Sequence, residues 1–191
     1  MGAMKTRLRA AVVAMGLVLG AGAAWGAGAT LTLKGGYFMP TDSVFKEVYS
    51  GGPILGADVA VPIAGVLQVW GGAELFSKTG STTLTEDETK VSIVPVYLGL
   101  RIEGGKKGLR PYIGVAAAYF LFSEKNVLGS ISESGIGYLA QAGLLTRMGG
   151  PVWFDVHAGY RGCALRTDGP DPVEAKLDGF SAGLGVVLVL K

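Results

Sequence analysis

The side chains that could carry acid–base or nucleophilic chemistry are few and lie close together. The chain has one histidine, His157, and one cysteine, Cys163. Asp155 precedes His157 by two residues, so in a strand both side chains would lie on one face and could hydrogen-bond. Acyl transfer also needs a nucleophile within reach of the base, and no serine stands two residues from His157. We therefore expect His157 to bond Asp155 or a neighbour, and we expect no catalytic residue.

One histidine and one cysteine leave too few nitrogen and sulfur ligands for a transition-metal site, so we expect no metal and no cofactor. The lone Cys163 excludes an intramolecular disulfide. We expect a packed, inert thiol at a strand end, with an exposed thiol that pairs between molecules as the alternative. The formal net charge of +2 argues against nucleic acid as a partner, because nucleic acid favours a basic patch.

Residues 1–26 have the composition of a cleaved signal peptide. An apolar stretch at 10–24 follows a basic region, which holds Lys5, Arg7 and Arg9. That stretch is short for a membrane helix, which needs about 20 residues, so an uncleaved anchor is the lesser alternative. We expect cleavage after Gly26, with a competing site at 27–29, and a mature domain at residues 27–191.

After the signal peptide, eight segments show an alternation of apolar and other residues. This period of two is typical of strands, and each segment is near the length of about 9–11 residues that a tilted strand needs to cross a membrane. Charged residues make up 17% of the chain, below the roughly 25% of ordinary soluble domains. The segments are residues 29–40, 54–63, 66–77, 90–103, 110–123, 135–147, 152–162 and 177–190.

Each segment has one face without charge and one face that mixes polar residues with glycine. An uncharged face opposite a polar one is the pattern of a transmembrane barrel, whose strands must close because an open edge is costly in lipid. We therefore predict an all-β fold, an eight-stranded antiparallel up-and-down transmembrane β-barrel with the polar face inside. The ionisable residues expected in the lumen are Lys34, Asp58, Glu74, Arg101, Arg110, Asp155, His157 and Arg161.

Eight strands enclose a lumen just wide enough for side chains to fill, so the basic residues are expected to pair with Asp58, Glu74 and Asp155. Which pairs form is left open by the sequence. The alternative fold is a secreted soluble barrel of lipocalin type, with the apolar face inside and the polar face in water. One or two charges in each strand are too few for such a solvated surface, so the membrane barrel is favoured.

The connections alternate between short and long. The short ones are residues 64–65, 104–109 and 148–150, and the long, polar ones are residues 41–53, 78–89, 124–134 and 163–176. This alternation is expected when tight turns face the periplasm and long loops face outside, which predicts that both termini are periplasmic. Within the first long loop, residues 43–49 are expected to form a helical turn with Asp42 or Ser43 as its cap.

Aromatic residues near the segment ends predict a girdle at each membrane interface. Toward the long loops these residues are Tyr37, Phe38, Phe76, Tyr119, Phe120 and Tyr160, and by a short turn they are Trp153 and Phe154. Phe38 and Phe120 stand at positions of the alternation that face inward, so packing inside the lumen is an open alternative for these two residues.

In three short motifs the chain resembles the small bacterial outer-membrane β-barrels. This family includes the transmembrane domain of outer membrane protein A and the opacity-type porins. The motifs are Gly36-Tyr37-Phe38, the Arg-Pro-Tyr-Ile-Gly stretch at 110–114, and the terminal segment 183–190. Gly185, Leu188 and Leu190 are similar to the recognition signal of the barrel assembly machinery, although the chain ends in Lys191 where that family has an aromatic residue. The resemblance implies outer-membrane lipid and that machinery as partners.

The lumen and the loops together predict a non-enzymatic outer-membrane protein with a structural or surface-interaction role. A narrow channel or small-molecule transporter is the first alternative. A lipid-modifying enzyme is the second and weaker one, because His157 lies inside the predicted lumen, whereas lipid substrates approach from outside or from the rim.

Overall fold

A computed structural model describes residues 28–43, 45–46, 50–81, 88–105, 108–126, 129–166 and 174–190. The predicted signal peptide lies outside the described residues and stays a prediction. The strands are β1 Thr30–Pro40, β2 Gly52–Ala64, β3 Leu67–Ser81, β4 Glu88–Glu103, β5 Leu109–Asn126, β6 Gly129–Gly149, β7 Val152–Arg166, β8 Glu174–Lys176 and β9 Gly179–Val189.

All strands except β8 close into one antiparallel barrel. Strands β1 to β7 pair in sequence order, β7 pairs with β9, and β9 pairs with β1. When each residue is followed to its partner on the next strand, one circuit of the barrel that starts at Thr30 ends at Pro40, ten residues further along β1. Such a stagger is required for tilted strands to close. The predicted eight-stranded barrel is confirmed, and β8 is a short strand beside the end of β7.

The apolar face of every barrel strand lies outside. Leu33, Leu55 and Leu98 are 61%, 67% and 66% exposed, whereas Lys34 and Asp58 are buried in the lumen. The soluble alternative, with the apolar face inside, is therefore wrong. An apolar surface that surrounds the whole barrel is stable only against hydrocarbon. Among the described residues, no helix is both long enough and apolar enough to span a bilayer.

The two ends of the barrel differ in the length of their connections. We call the end with the short connections after β2, β4 and β6 the turn end, and the opposite one the loop end. At the loop end the β3–β4 and β5–β6 hairpins continue as paired strands almost to their tips. The predicted loop at 124–134 is thus largely strand, the described residues of the predicted loop at 78–89 are strand, and part of 163–176 is paired in β7 and β8. Residues 82–87 and 167–173 lie outside the described residues. Polar residues on both faces of these segments concealed the alternation.

The aromatic residues near the ends fall into two groups. Those on the outer face form a ring near the loop end, namely Tyr37, Tyr119, Tyr138, Tyr160 and Phe180. Phe38, Phe76 and Phe120 instead lie inside the lumen, and Trp153 does so at the turn end. The girdle prediction is therefore wrong for these four, because each has the alternation of the inward face, and the alternative of inward packing is correct for Phe38 and Phe120.

Candidate functional site: the filled lumen and a free strand edge

Lys34 of β1 is the centre of a buried network in the lumen. Its Nζ lies 3.0 Å from an Asp58 oxygen and 2.9 Å from a Glu74 oxygen, and it donates to Gln141 Oε1 at 3.0 Å. Glu74 also pairs with Arg161 of β7. The network therefore ties β1, β2, β3, β6 and β7 together across the lumen.

Asp155 organises a second cluster, nearer the turn end. The Tyr112 hydroxyl donates to Asp155 at 3.0 Å, and His157 Nδ1 lies 2.8 Å from the same carboxylate. Gln141 Nε2 donates to the Tyr112 hydroxyl at 2.7 Å. Because Gln141 also binds Lys34, the two clusters form one continuous hydrogen-bonded layer.

Glu103 holds the two arginines at the turn end. It lies 2.8 Å from Arg101 and 3.1 Å from Arg110, and Gln68 bonds both Arg101 and Glu103. The expectation that Arg101 and Arg110 pair with Asp58, Glu74 or Asp155 is wrong. Sequence reasoning missed Glu103, although it stands two residues after Arg101 and so shares the inward face of β4.

The charges of this layer balance, and glycines make room for its side chains. When the group around Glu103 is counted with this layer, the basic and acidic residues among those described are equal in number: Lys34, Arg101, Arg110, Arg161, Asp58, Glu74, Glu103 and Asp155. Balance matters because an unpaired charge away from water costs several kcal/mol. A Cβ on Gly143 would lie 2.6 Å from the Tyr112 ring, and one on Gly183 would lie 2.8 Å from His157 Nε2.

Toward the loop end the lumen filling becomes apolar. Phe38 and Phe76 pack edge to face at 5.5 Å between ring centroids, and Phe120 is fully buried in the same cluster. Phe45 covers Phe76 from the first connection, with centroids 6.2 Å apart. The backbone N–H of Phe45 donates to Asp42 Oδ1 at 2.9 Å, so Asp42 caps the start of the predicted helical turn. Residues 44 and 47–49 of that turn lie outside the described residues.

The reactive side chains are enclosed by this filling. His157 is 6% exposed, with Asp155 on one ring nitrogen and the Gly183 backbone against the other. Cys163 is buried, and its Sγ lies 3.8 Å from the Ile136 carbonyl oxygen. The arrangement can hold charges and fill space, and among the described residues it encloses the one histidine and the one cysteine.

At the loop end β6 extends beyond the barrel wall with an edge that no strand of the described residues covers, and we call it the free edge. Residues 129–136 of β6 pair with β5 on one side. Pairing of β6 with β7 begins only at Gly137 and Cys163. The last described residues of β7 pair with β8 on the other side of β7, the side that β9 occupies lower in the barrel. No strand of the described chain therefore pairs with residues 129–136 on the side away from β5. Apart from the Ile136 carbonyl oxygen, which accepts from Cys163 Sγ, their outward backbone N–H and C=O groups are a template for another strand.

The similarity to known proteins lies in the fold. No protein-family model matches the sequence, and no curated protein matches it. Neisserial surface protein A matches with a TM-score of 0.65 and 10% identity, over 86% of this chain and 98% of that one. The outer membrane protein OprG from Pseudomonas aeruginosa matches with a TM-score of 0.60 and 16% identity, over 87% and 98%.

A third match is Ail, the attachment invasion locus protein of Yersinia pestis, solved in complex with the heparin analogue sucrose octasulfate. Its TM-score is 0.52 and its identity 12%, over 85% of this chain and 100% of that one. At these identities the similarity shows the fold alone. The chain has the fold of the small outer-membrane β-barrels, as the sequence motifs predicted, and its apolar outer face is that of a barrel embedded in the outer membrane.

Proposed function

We propose that this protein is a non-enzymatic surface-interaction barrel, which uses the free edge of β6 to bind an extended segment of a partner protein. The loop end faces outside and the termini face the periplasm, because long hairpins in such barrels are extracellular. The barrel assembly machinery inserts it, and the filled lumen makes the barrel an anchor without a conduction path. The free edge at residues 129–136 is the observation that carries this proposal.

Strand edges bind extended peptides through main-chain hydrogen bonds, while side-chain contacts supply specificity. Proteins usually protect an exposed edge with lysine, proline, a bulge or a very short strand. Residues 129–136 contain neither lysine nor proline, and their one charge is Glu133. Their pairing with β5 runs without a register shift. A surface role on this fold is further supported by the Yersinia pestis attachment protein with its bound heparin analogue.

Proline scanning of the free edge tests this proposal. Successive residues of a strand direct their N–H groups to opposite sides, so one of Ser132→Pro and Glu133→Pro removes an outward donor and leaves the pairing with β5 intact. A folded barrel changes its gel mobility on heating. The proline variant that keeps the wild-type shift is therefore still folded, and it is the informative one. Ser132→Ala is the matched control, because it changes the side chain and keeps the backbone donor.

The probe is a phage-displayed library of random peptides, selected on the wild-type barrel in nanodiscs. Enriched peptides should bind Ser132→Ala as they bind the wild type, lose about tenfold or more on the informative proline variant, and slow hydrogen exchange of the amides at 129–136. Peptides that bind the proline variant equally well, or that leave exchange at 129–136 unchanged, would refute the proposal.

A further inference from the structure

A groove crosses the outer face of the barrel from near the turn end to the aromatic ring at the loop end. Its volume is about 560 Å³, and its lining includes Tyr119 of the aromatic ring. Gly71 and Ala117 present almost no side chain there, so the surface is low between larger aliphatic neighbours. Those neighbours on β2, β3, β4 and β6 include Val61, Val69, Leu98 and Ile136.

Above the groove the same strands turn polar on the same face. The Tyr119 hydroxyl donates to Ser134 Oγ at 2.8 Å, and further toward the loop end Ser92 of β4 stands directly opposite Ser123 of β5. One more step along the face, Lys90 stands directly opposite Lys125, and both lysines are exposed. The outer face of β4 and β5 thus runs from apolar groove to hydroxyl pair to amine pair.

The lysine pair is unfavourable unless it meets an anion. Residues directly opposite in antiparallel strands have Cβ atoms about 4.5–5.5 Å apart, and like charges at such positions destabilise the sheet. A phosphate between the ammonium groups would remove the repulsion and form charge-assisted hydrogen bonds.

We propose that this stripe binds one phosphorylated glycolipid of the outer leaflet. An acyl chain lies in the groove, sugar hydroxyls contact Ser92 and Ser123, and a phosphate lies between Lys90 and Lys125. A second copy of the chain fits less well, because a two-fold contact at this face would place lysines against lysines. The inference goes beyond the proposed function. It shares with that function the orientation of the barrel and Ile136, whose side chain lines the groove.

Lipid titrations followed by native mass spectrometry test the stripe. The folded barrel in neutral detergent is titrated with a bisphosphorylated, acylated diglucosamine lipid and, separately, with the dephosphorylated form of that lipid. The wild type should bind the phosphorylated lipid more tightly. Lys90→Ser with Lys125→Ser should weaken that binding about tenfold or more and leave the dephosphorylated lipid unaffected. Ala117→Leu fills the groove and should weaken binding of both lipids about fivefold.

Two matched controls keep the test specific. Lys176→Ser removes an exposed lysine of β8 away from the stripe, and Ala158→Leu enlarges an exposed outer-face alanine of β7 outside the groove; both should bind like the wild type. The inference is overturned if the wild type binds both lipids equally or if the controls weaken binding as much as the stripe variants. It is also overturned if Ala117→Leu dissociates a dimer, which would assign the groove to a second copy.

Discussion

The two halves of the lumen are filled in opposite ways, although one alternation of residues builds both. Toward the turn end the filling is charged, with Lys34, Glu74 and Asp155 each held by partners on other strands. Toward the loop end it is apolar, with Phe38 and Phe120 fully packed. The difference shows that alternation decides which side chains enter the lumen, whereas stability depends on partners in the charged half and on shape in the apolar half.

Glu74→Ala should give the largest effect, because it removes the carboxylate that pairs with both Lys34 and Arg161. Loss of one partner from a buried pair costs about 3–5 kcal/mol, measured here as the free energy of unfolding by urea in lipid vesicles. Glu133→Ala, near the tip of the β5–β6 hairpin, is the control and should change it by less than about 0.5 kcal/mol. Equal effects of the two substitutions would contradict the account of the charged half.

Phe120→Leu tests the apolar half and should cost about 1–2 kcal/mol, because the smaller side chain leaves a cavity in the apolar cluster beside Gly137. The loss should be the same at low and high salt, since no charge is involved, whereas charge-pair variants at the partly exposed turn end should respond to salt. Unfolding curves at two salt concentrations measure both points. A salt-dependent loss for Phe120→Leu would remove the distinction between the two halves.

Arg110→Ala should give the smallest effect. The Arg110 side chain is 37% exposed, and Glu103 keeps Arg101 at 2.8 Å after the substitution, so the expected loss is about 1 kcal/mol or less. Arg101→Ala is the comparison, because its buried side chain should cost more in the same unfolding measurement. If Arg110→Ala lowered the free energy of unfolding as much as Glu74→Ala does, charge pairs at the exposed turn end would stabilise the barrel as strongly as those buried in the lumen.

The sequence predicted the barrel and the lumen-facing residues, because a shift of one residue would move Lys34 or Glu74 into lipid. It did not predict the pairs. Arg161 meets Glu74 across 87 positions of sequence, and that meeting depends on the stagger of the whole barrel, which no local pattern encodes. The free edge of β6 was missed for a related reason: residues 129–136 are polar on both faces, so their strand pairing is set by β5 and not by alternation.

Single-channel recording in planar bilayers tests the sealed lumen most directly, because the charged and apolar halves together must block ions for the barrel to act as an anchor. The account predicts no steady conductance steps from the folded wild-type barrel over a range of voltage and salt. Insertion should be verified in the same membranes by the shift in gel mobility on heating. Reproducible steps of defined ion selectivity from the inserted wild type would contradict the account and favour a narrow channel.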